Sequence, residues 1–341
     1  MKSIFNKTDF ILCKVPVPKG YPQSQTHAGI AMLGDRYILT TSPYPNPKYP
    51  KWKIYLYAAI RKLSFHKINL FYCGENFENP CVYIGENTCI PTEFKLIQGC
   101  PLMNTPENKY GLGSYCSDPD IYVEDNHLFV INRTSIRKSE TGVPSCDYET
   151  SVYLISFDIE DGEVRNKSIS KLFNDKDASP CLSKIDGRYA YFSLETNSYN
   201  TGETCKALYM RTSSSLKDDW SAKNTILLDK GKYDPWHMSL FQHKGKLYAI
   251  VACIEAGVAH RCWSMLGEFS EDLTNLKIYQ TPLTDYKSYR SAAIVREDDE
   301  FILYNTTVHE KIEGGKSVDG REVIMAHMPF NELLKKLRDN E

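Results

Sequence analysis

The sequence predicts an all-β chain: one five-bladed β-propeller domain over residues 1–341, with four-stranded antiparallel blades and a short C-terminal helix. Three observations lead there. Nearly every patterned segment is a short run of β-branched and aromatic residues closed by Gly, Asp, Asn or Pro, which is how strands read. One unit of that kind returns five times, and self-similarity at a fixed spacing marks a repeat architecture. Aromatic residues make up 12% of the chain, with 23 Tyr, a usage common to β-rich scaffolds and sugar-binding surfaces.

The repeating unit is a polar or Pro-marked start, an apolar strand, a tight turn and a second, aromatic-rich strand. Its copies are HAGIAMLGDRYILTTS (27–42), SDPDIYVEDNHLFVINRT (117–134), ASPCLSKIDGRYAYFSLET (178–196), DPWHMSLFQHKGKLYAIVA (234–252) and YRSAAIVREDDEFILYNTT (289–307). The turns Gly34-Asp35, Asp125-Asn126, Asp186-Gly187, Lys244-Gly245 and Asp298-Asp299 fall at matching places and have the residue types that tight hairpins favour. Two further strands follow most hairpins: SVYLISFDI and SISKLF, ALYMRTS and TILLD, WSMLGEFS and LKIYQTPL. The last copy supplies only one more strand, ending in VIMAHMP, so residues 10–15 are expected to add its outer strand and close the ring. Helical spacing is confined to 330–338, where Leu333, Leu334 and Leu337 share a face after Pro329, and to 54–63, which reads equally as strand or loop. Residues 139–148 and 310–320 read as exposed loops.

Charge and composition exclude several classes. Lys plus Arg number 41 against 43 Asp plus Glu, a net charge of -2, so no basic field exists to draw nucleic acid or an anionic membrane. No run approaches the roughly 18 apolar residues of a membrane span, and the first residues lack a leader pattern. A cytoplasmic location is expected as the sequence is written, or a periplasmic or secreted one if the natural chain begins earlier. Eleven cysteines without a CxxC pair read as free buried thiols. NRT at Asn132 and NKS at Asn166 have the form of glycosylation acceptors.

Within the repeats lie TSPYP (41–45), FENPCVY (77–83), SDPDIY (117–122), an S-x-x-x-D-x-W-S-like phrase over 213–221, DPWH (234–237) and YRSAAIV (289–295). In this order and at blade spacing they resemble the five-bladed propellers of glycoside hydrolase family 43 and similar carbohydrate-active enzymes, over nearly the whole chain. The resemblance implies a glycoside hydrolase acting on an oligo- or polysaccharide by acid/base catalysis, with carboxylates in a central funnel. It also implies roles: the family's first-blade Asp base falls near His27, its second-blade Asp on Asp120, and its third-blade Glu acid near Ala178. Because only one of these positions holds a carboxylate, a non-catalytic propeller that binds carbohydrate or a partner is the alternative. A nucleotide-sugar or polysaccharide-assembly accessory protein is a third reading.

In a propeller the starts of the innermost strands converge at one end of the axis. Here those starts bring His27, Asp118, Asp120, Ser179, Asp234, His237, Tyr289 and Arg290. The expected catalytic set is Asp118, Asp120, Asp234, His237 and Glu195, because glycoside hydrolysis needs two carboxyl groups about 5 to 9.5 Å apart, one protonated and one ionised, and His can move a proton near neutral pH. The expected substrate-binding set is His27, Glu78, Trp236, Tyr289 and Arg290, with Trp236 and Tyr289 stacking on sugar faces and Arg290 paired to an acid. The sequence contains no phosphate-binding glycine loop, HExxH, GxSxG or zinc-type Cys/His spacing. No cofactor and no metal are therefore expected, and a carbohydrate ligand is the one partner.

Overall fold

The structure is a computed structural model, and it describes residues 3–19, 24–44, 78–86, 90–104, 115–137, 148–196, 205–255, 262–284, 288–313 and 316–341. Strand β1 (Ile11–Leu12) is followed by four quartets of strands and a final set of three. The first quartet is β2 (Ser24–Leu33), β3 (Arg36–Tyr44), β4 (Cys81–Gly85) and β5 (Phe94–Leu96). The second is β6 (Tyr115–Glu124), β7 (His127–Arg137), β8 (Tyr148–Glu160) and β9 (Glu163–Phe173). The third is β10 (Ala178–Ile185), β11 (Arg188–Thr196), β12 (Cys205–Ser213) and β13 (Asn224–Asp229), and the fourth is β14 (Tyr233–His243), β15 (Lys246–Glu255), β16 (Cys262–Phe269) and β17 (Asn275–Ile278). The final set is β18 (Ser288–Val295), β19 (Glu300–Glu313) and β20 (Lys316–Pro329). Each set is a simple antiparallel meander, as the hairpin turns require.

Strand β1 pairs with β20 through Ile11↔Met325 and Leu12↔Ile324, so residues from the start of the chain complete the last sheet, as the sequence suggested. One feature differs from a set of separate blades. The outer strands β13 and β17 pair in parallel (Leu227↔Asn275 to Asp229↔Lys277), fusing the third and fourth quartets into one eight-stranded sheet.

Apolar packing lies between neighbouring sets. Phe192, Leu208, Met238, Val251 and Phe269 join the third and fourth, and Phe241, Ile250, Leu266, Phe301 and Phe330 join the fourth and last. Leu39, Tyr83, Ile302 and Tyr304 then join the last set back to the first, so the sheets close on themselves. Helix α1 (Phe330–Asp339) buries Phe330, Leu333 and Leu337 in the second of these clusters. Its start is held by Asp299, whose side chain accepts from the Asn331 amide at 3.3 Å.

Two expectations change. Residues 310–313 and 316–320 are strand rather than loop, because β19 and β20 stay in register down to Glu313↔Lys316. Asn132 is fully buried and donates to Thr134 Oγ1 at 3.2 Å, so the NRT match is no surface acceptor in the folded chain. The 54–63 segment lies outside the described residues. The described cysteines are all free, and all but Cys100 are buried.

Candidate functional site

The innermost strands β2, β6, β10, β14 and β18 each lose register with their partner at one matching place. The breaks fall between Thr26 and Gly29, Ser117 and Asp120, Ala178 and Cys181, Pro235 and His237, and Ser288 and Ser291. A bulge re-aims the side chain that it carries, and these five re-aim theirs toward one region. At three of them the bulged residue is left-handed: His27 (φ 56°), Asp118 (φ 56°) and Ser179 (φ 52°). Such backbones cost about 1–3 kcal/mol each for non-glycine residues and persist where the surroundings hold them. Pro119 and Pro180, each following a left-handed residue, add rigidity.

The result is a buried cluster. Asp118 Oδ1 lies 3.2 Å from His27 Nε2 and 3.7 Å from His237 Nδ1. Asp118 Oδ2 faces Arg133 Nη2 at 3.1 Å and accepts from the Ser179 amide at 3.3 Å. Ser179 Oγ lies 2.9 Å from His237 Nδ1. The two imidazoles meet edge to face at 5.1 Å, and the Tyr289 ring packs against both, at 5.0 and 5.2 Å. Arg321, from β20, stacks 4.0 Å over the other partner of this wall, the Tyr289 ring.

Electrostatics divide these groups clearly. Burial pushes both imidazoles below their ordinary value, His237 to about 3, against the opposing pull of Asp118, so both are neutral near pH 7. Burial alone would raise the Asp118 carboxyl, but the Arg133 guanidinium beside it holds it well below the usual carboxylate range. Asp120 is the reverse case: burial pushes its carboxyl up, over the pull of Arg290 and Ser239.

Ser179, His237 and Asp118 do not form a nucleophile triad, since hydroxyl and carboxylate meet the same ring nitrogen and leave Nε2 unused. Nδ1 of His27 and Nε2 of His237 are buried without a hydrogen-bond partner, and His27 Nε2 makes no well-aligned hydrogen bond although Asp118 Oδ1 lies 3.2 Å away. Buried polar atoms in that condition are rare and point to a missing partner such as water or an ion. Donor atoms of His27, Asp118 and His237 all lie within 4.8 Å of one another, and no other such group occurs among the described residues. Two neutral imidazoles and one ionised carboxylate are a donor set suited to a divalent transition metal with positions left open. The expectation of no metal rested on linear spacing, which cannot see ligands brought from three different strands.

The other expected residues are placed as follows. Arg290 is fully buried and does pair with an acid, Asp120, at 3.3 Å, while its Nη1 donates to the Pro119 carbonyl at 2.9 Å. Asp120 also accepts from Ser239 Oγ at 2.8 Å. Asp234 is ion-paired with Lys230. Glu195 accepts from Tyr209 at 2.7 Å and faces Lys206, with its side chain 39% exposed. Glu78 is buried, left-handed (φ 54°), and close enough to Arg133 and Tyr115 for its charge to be felt by both. Trp236 is half-buried, its ring 5.6 Å from that of His237. Sequence reasoning missed Arg133 and Arg321. Arg133 had a usable signal, because the β6–β7 hairpin register sets it opposite Ser117, next to Asp118. Arg321 had none, since β20 reaches the site only through the closure of the ring.

No protein-family profile matches the sequence, and no curated protein matches it. Solved structures do. An N-acetylgalactosamine deacetylase from F. plautii, in complex with blood group B trisaccharide, superposes with a TM-score of 0.63 at 13% identity, covering 93% of each chain. The family 43 glycoside hydrolase GH43B of a Bacteroides ovatus xyloglucan locus gives 0.58 at 14% identity, covering 93% of this chain and 54% of its own, so this chain spans about half of it. A family 117 glycoside hydrolase from the marine bacterium Zobellia galactanivorans gives 0.57 at 10% identity, covering 94% and 90%. At these identities the likeness shows the fold: mostly β, in four-stranded antiparallel sheets arranged as in the propellers of those hydrolases.

Proposed function

We propose that this chain is a five-bladed propeller hydrolase acting on an oligo- or polysaccharide, with its reaction run at His27, Asp118 and His237 around a divalent cation. The observation that carries the reading is the pair of buried imidazoles with unpartnered nitrogens, set against a carboxylate that Arg133 keeps ionised. The closed packing of the sheets supports the blade count, and the neighbours supply the carbohydrate class. One of them removes an acetyl group from a sugar, by its name, which fits metal-assisted hydrolysis better than a pair of carboxyl groups.

When bound, the cation supplies Lewis-acid charge and a water of lowered pKa. The protein's own residues do the rest. Asp118 brings the negative charge, and the neutral imidazoles bring lone pairs. Ser179 occupies Nδ1 of His237 and so leaves Nε2 for coordination. Trp236, half-buried beside the imidazoles, offers a face for a sugar ring, while the Tyr289 ring is held between the imidazoles and Arg321. Asp120 and Arg290 hold the floor, and Glu78 lies behind Arg133. The carboxylate-only glycosidase is the weaker reading, because Asp118, Asp120, Asp234 and Glu195 are each engaged by a cation or a hydroxyl.

The test is metal content and titration of the purified full chain with Zn²⁺, Mn²⁺ and Ca²⁺, followed by a product-release screen on a glycan panel with and without chelator. Stoichiometric binding that His27→Ala and His237→Ala each abolish is expected, with hydrolysis lost on chelation and restored by metal. A folded protein that binds none of the three ions would sink the metal reading. Ser179→Ala should weaken metal affinity by roughly 10–100-fold, the usual effect of removing a group that orients a ligand. Unchanged affinity by calorimetry would assign Ser179 to packing alone.

A further inference from the structure

We propose that Lys223, which stands just before β13, is a positioning residue for the site: by holding Asp175 and Asp177 it fixes the β9–β10 connection, which delivers Ser179 to His237 and the Lys176 carbonyl to Arg133. The inference rests on the reading of His27, Asp118 and His237 as the reacting centre and adds to it a residue from outside the cluster.

The connection is anchored almost residue by residue. Asn174 Oδ1 accepts from Ser151 Oγ at 3.1 Å, which ties it to β8. Asp175 Oδ1 accepts from the Asp177 amide at 3.1 Å, a turn that an Asp side chain closes on the backbone two residues on. Both carboxylates then meet one ammonium: Lys223 Nζ lies 2.9 Å from Asp175 Oδ1 and 2.6 Å from Asp177 Oδ2. Asp177 Oδ2 also accepts from Ser193 Oγ at 2.9 Å. Between the two aspartates, the Lys176 carbonyl accepts from Arg133 Nη1 at 3.5 Å. Two residues after Asp177 comes Ser179, whose amide reaches Asp118 and whose hydroxyl reaches His237. The segment is thus bound to β11 and the chain entering β13 by its carboxylates, and to the site by its backbone and by Ser179.

Asp175 and Asp177 are both buried, and side by side they repel. Burial and the Asp175 charge push the Asp177 carboxyl up, against the pull of Lys223 and Ser193. Among the described residues Lys223 is the one ion-pair partner of either aspartate. The other charged side chains on this face of β11 and β12 have contacts of their own: Glu195 with Tyr209 and Lys206, and Arg211 with the Ser221 carbonyl and the Phe173 ring. Lys223 is itself steadied, with Nζ 4.9 Å over the ring of Tyr209, the residue opposite Ser193.

Ser179 needs such a hold. Its left-handed backbone (φ 52°) sits in the bulge where Ala178 still pairs with Leu194 and pairing resumes at Cys181 with Phe192. A non-glycine residue keeps that conformation only where its surroundings fix it. Pro180 stiffens one side, and on the other only Ala178 separates Ser179 from Asp177. Without Lys223, two buried carboxylates lie together with no counter-charge, so they part or one takes a proton. Asp177 then gives up its place, Ser179 Oγ leaves His237 Nδ1, and the Lys176 carbonyl leaves Arg133. His237 loses the contact that selects which ring nitrogen carries the proton, which is the service that the outer partner of a ligating imidazole performs. Lys223 therefore acts on the site through orientation and not through contact.

The test reads His237 itself in the full chain at pH 7, by NMR of the imidazole nitrogens without metal and by calorimetric titration with Zn²⁺. Lys223→Met and Asp177→Ala each break the hold, and the second strands no charge, because Asp175 keeps Lys223. Lys223→Arg keeps a cation within reach. Lys184→Met is the control, since it removes another half-buried lysine paired with an acid, Glu124, at the hairpin end of β10. One His237 tautomer is expected in the wild type, Lys223→Arg and Lys184→Met, and a mixture of both tautomers in Lys223→Met and Asp177→Ala. Zn²⁺ affinity should fall about tenfold in those two, the lower end of what an outer partner of a metal ligand contributes. If Lys223→Met does not fold, Asp177→Ala decides. Wild-type His237 signals in the folded Lys223→Met and Asp177→Ala proteins, or the same disturbance in Lys184→Met, overturn the proposal. The two readings fail separately: a wild type that binds no Zn²⁺ loses the metal while the metal-free His237 signals still decide this inference, and one that binds Zn²⁺ with His237 unmoved in every variant loses only this inference.

Discussion

Arg290→Met is expected to destabilise the folded chain by about 3–5 kcal/mol, the usual cost of removing one partner of a buried ion pair. Among the described residues Arg290 is the largest fully buried side chain, and its guanidinium faces Asp120 at 3.3 Å and the Pro119 carbonyl at 2.9 Å. Without it, the Asp120 carboxylate keeps Ser239 as a hydrogen-bond donor but has no counter-charge. The cost has a ceiling, because the carboxyl can take a proton instead of remaining charged. Near pH 7 that escape costs about 1.4 kcal/mol for each unit between the pH and the ordinary Asp value near 3.9, or roughly 4 kcal/mol.

The sign of the pH dependence follows. In the variant the folded-state value of Asp120 lies above its unfolded value, so the folded state binds more protons. The penalty relative to wild type is then largest near neutral pH and shrinks as pH falls toward the unfolded value. Urea unfolding at pH 7 and pH 5 should show the gap between the two proteins narrowing, by at most about 2–3 kcal/mol, because burial already pushes the wild-type carboxyl up and only the further rise in the variant counts. Asp120→Leu combined with Arg290→Met should recover much of the loss, since a well-packed apolar pair has no charge to strand. A penalty below about 1 kcal/mol, or one that grows on acidification, would show that water reaches Asp120 and that the pair is not structural.

Asp120, the one position where the sequence matched a family carboxylate, is thus tied to the protein's own Arg290 and Ser239. A carboxyl held by Arg290 and Ser239 behind the cluster is engaged by the protein itself. Asp118, two residues earlier, is turned the other way by its left-handed backbone and faces both histidines. Bulge geometry, and not residue type, separates the two aspartates.

Much of the fold was legible because its signals are local. Hairpin turns at Asp186-Gly187 and Lys244-Gly245, and alternating runs such as YAYFSLET, fix strands and register within each quartet. The outer β1 strand was legible from ring closure, because the last set of strands lacked a fourth member. The parallel join of β13 to β17 was not, since two short outer strands give no sequence sign of pairing across quartets. In the site, His27, Asp118, His237, Tyr289 and Arg290 could be named from their shared place at the starts of inner strands. Their grouping into a donor set could not, because whether His27 faces Asp118 or solvent depends on φ at one bulged residue. Glu195, an acid near a strand end, has partners that the sequence did not show, Tyr209 and Lys206, both on its own sheet.

Asp118→Asn is expected to remove metal binding and, with it, any metal-dependent turnover, while leaving the fold in place. The substitution keeps the shape and changes the charge. Asn still offers a carbonyl to the Ser179 amide and to Arg133, so the bulge and its left-handed backbone, a conformation that Asn tolerates well, survive. What goes is the negative charge that faces the two neutral imidazoles. A divalent ion would then have no anionic ligand in the donor set, and its affinity should fall by at least about 100-fold. Thermal unfolding separates this from simple damage. An ion that binds only the folded state stabilises it by about 2.7 kcal/mol when present at 100 times its Kd, so wild-type protein should melt higher as Zn²⁺ or Mn²⁺ is added, and Asp118→Asn should show no such rise. The apo proteins should differ far less, because Arg133 is 19% exposed and can be partly hydrated once its partner is neutral. A metal-dependent rise in melting temperature that persists in Asp118→Asn would remove Asp118 from the donor set and leave the two imidazoles to be explained by a buried water.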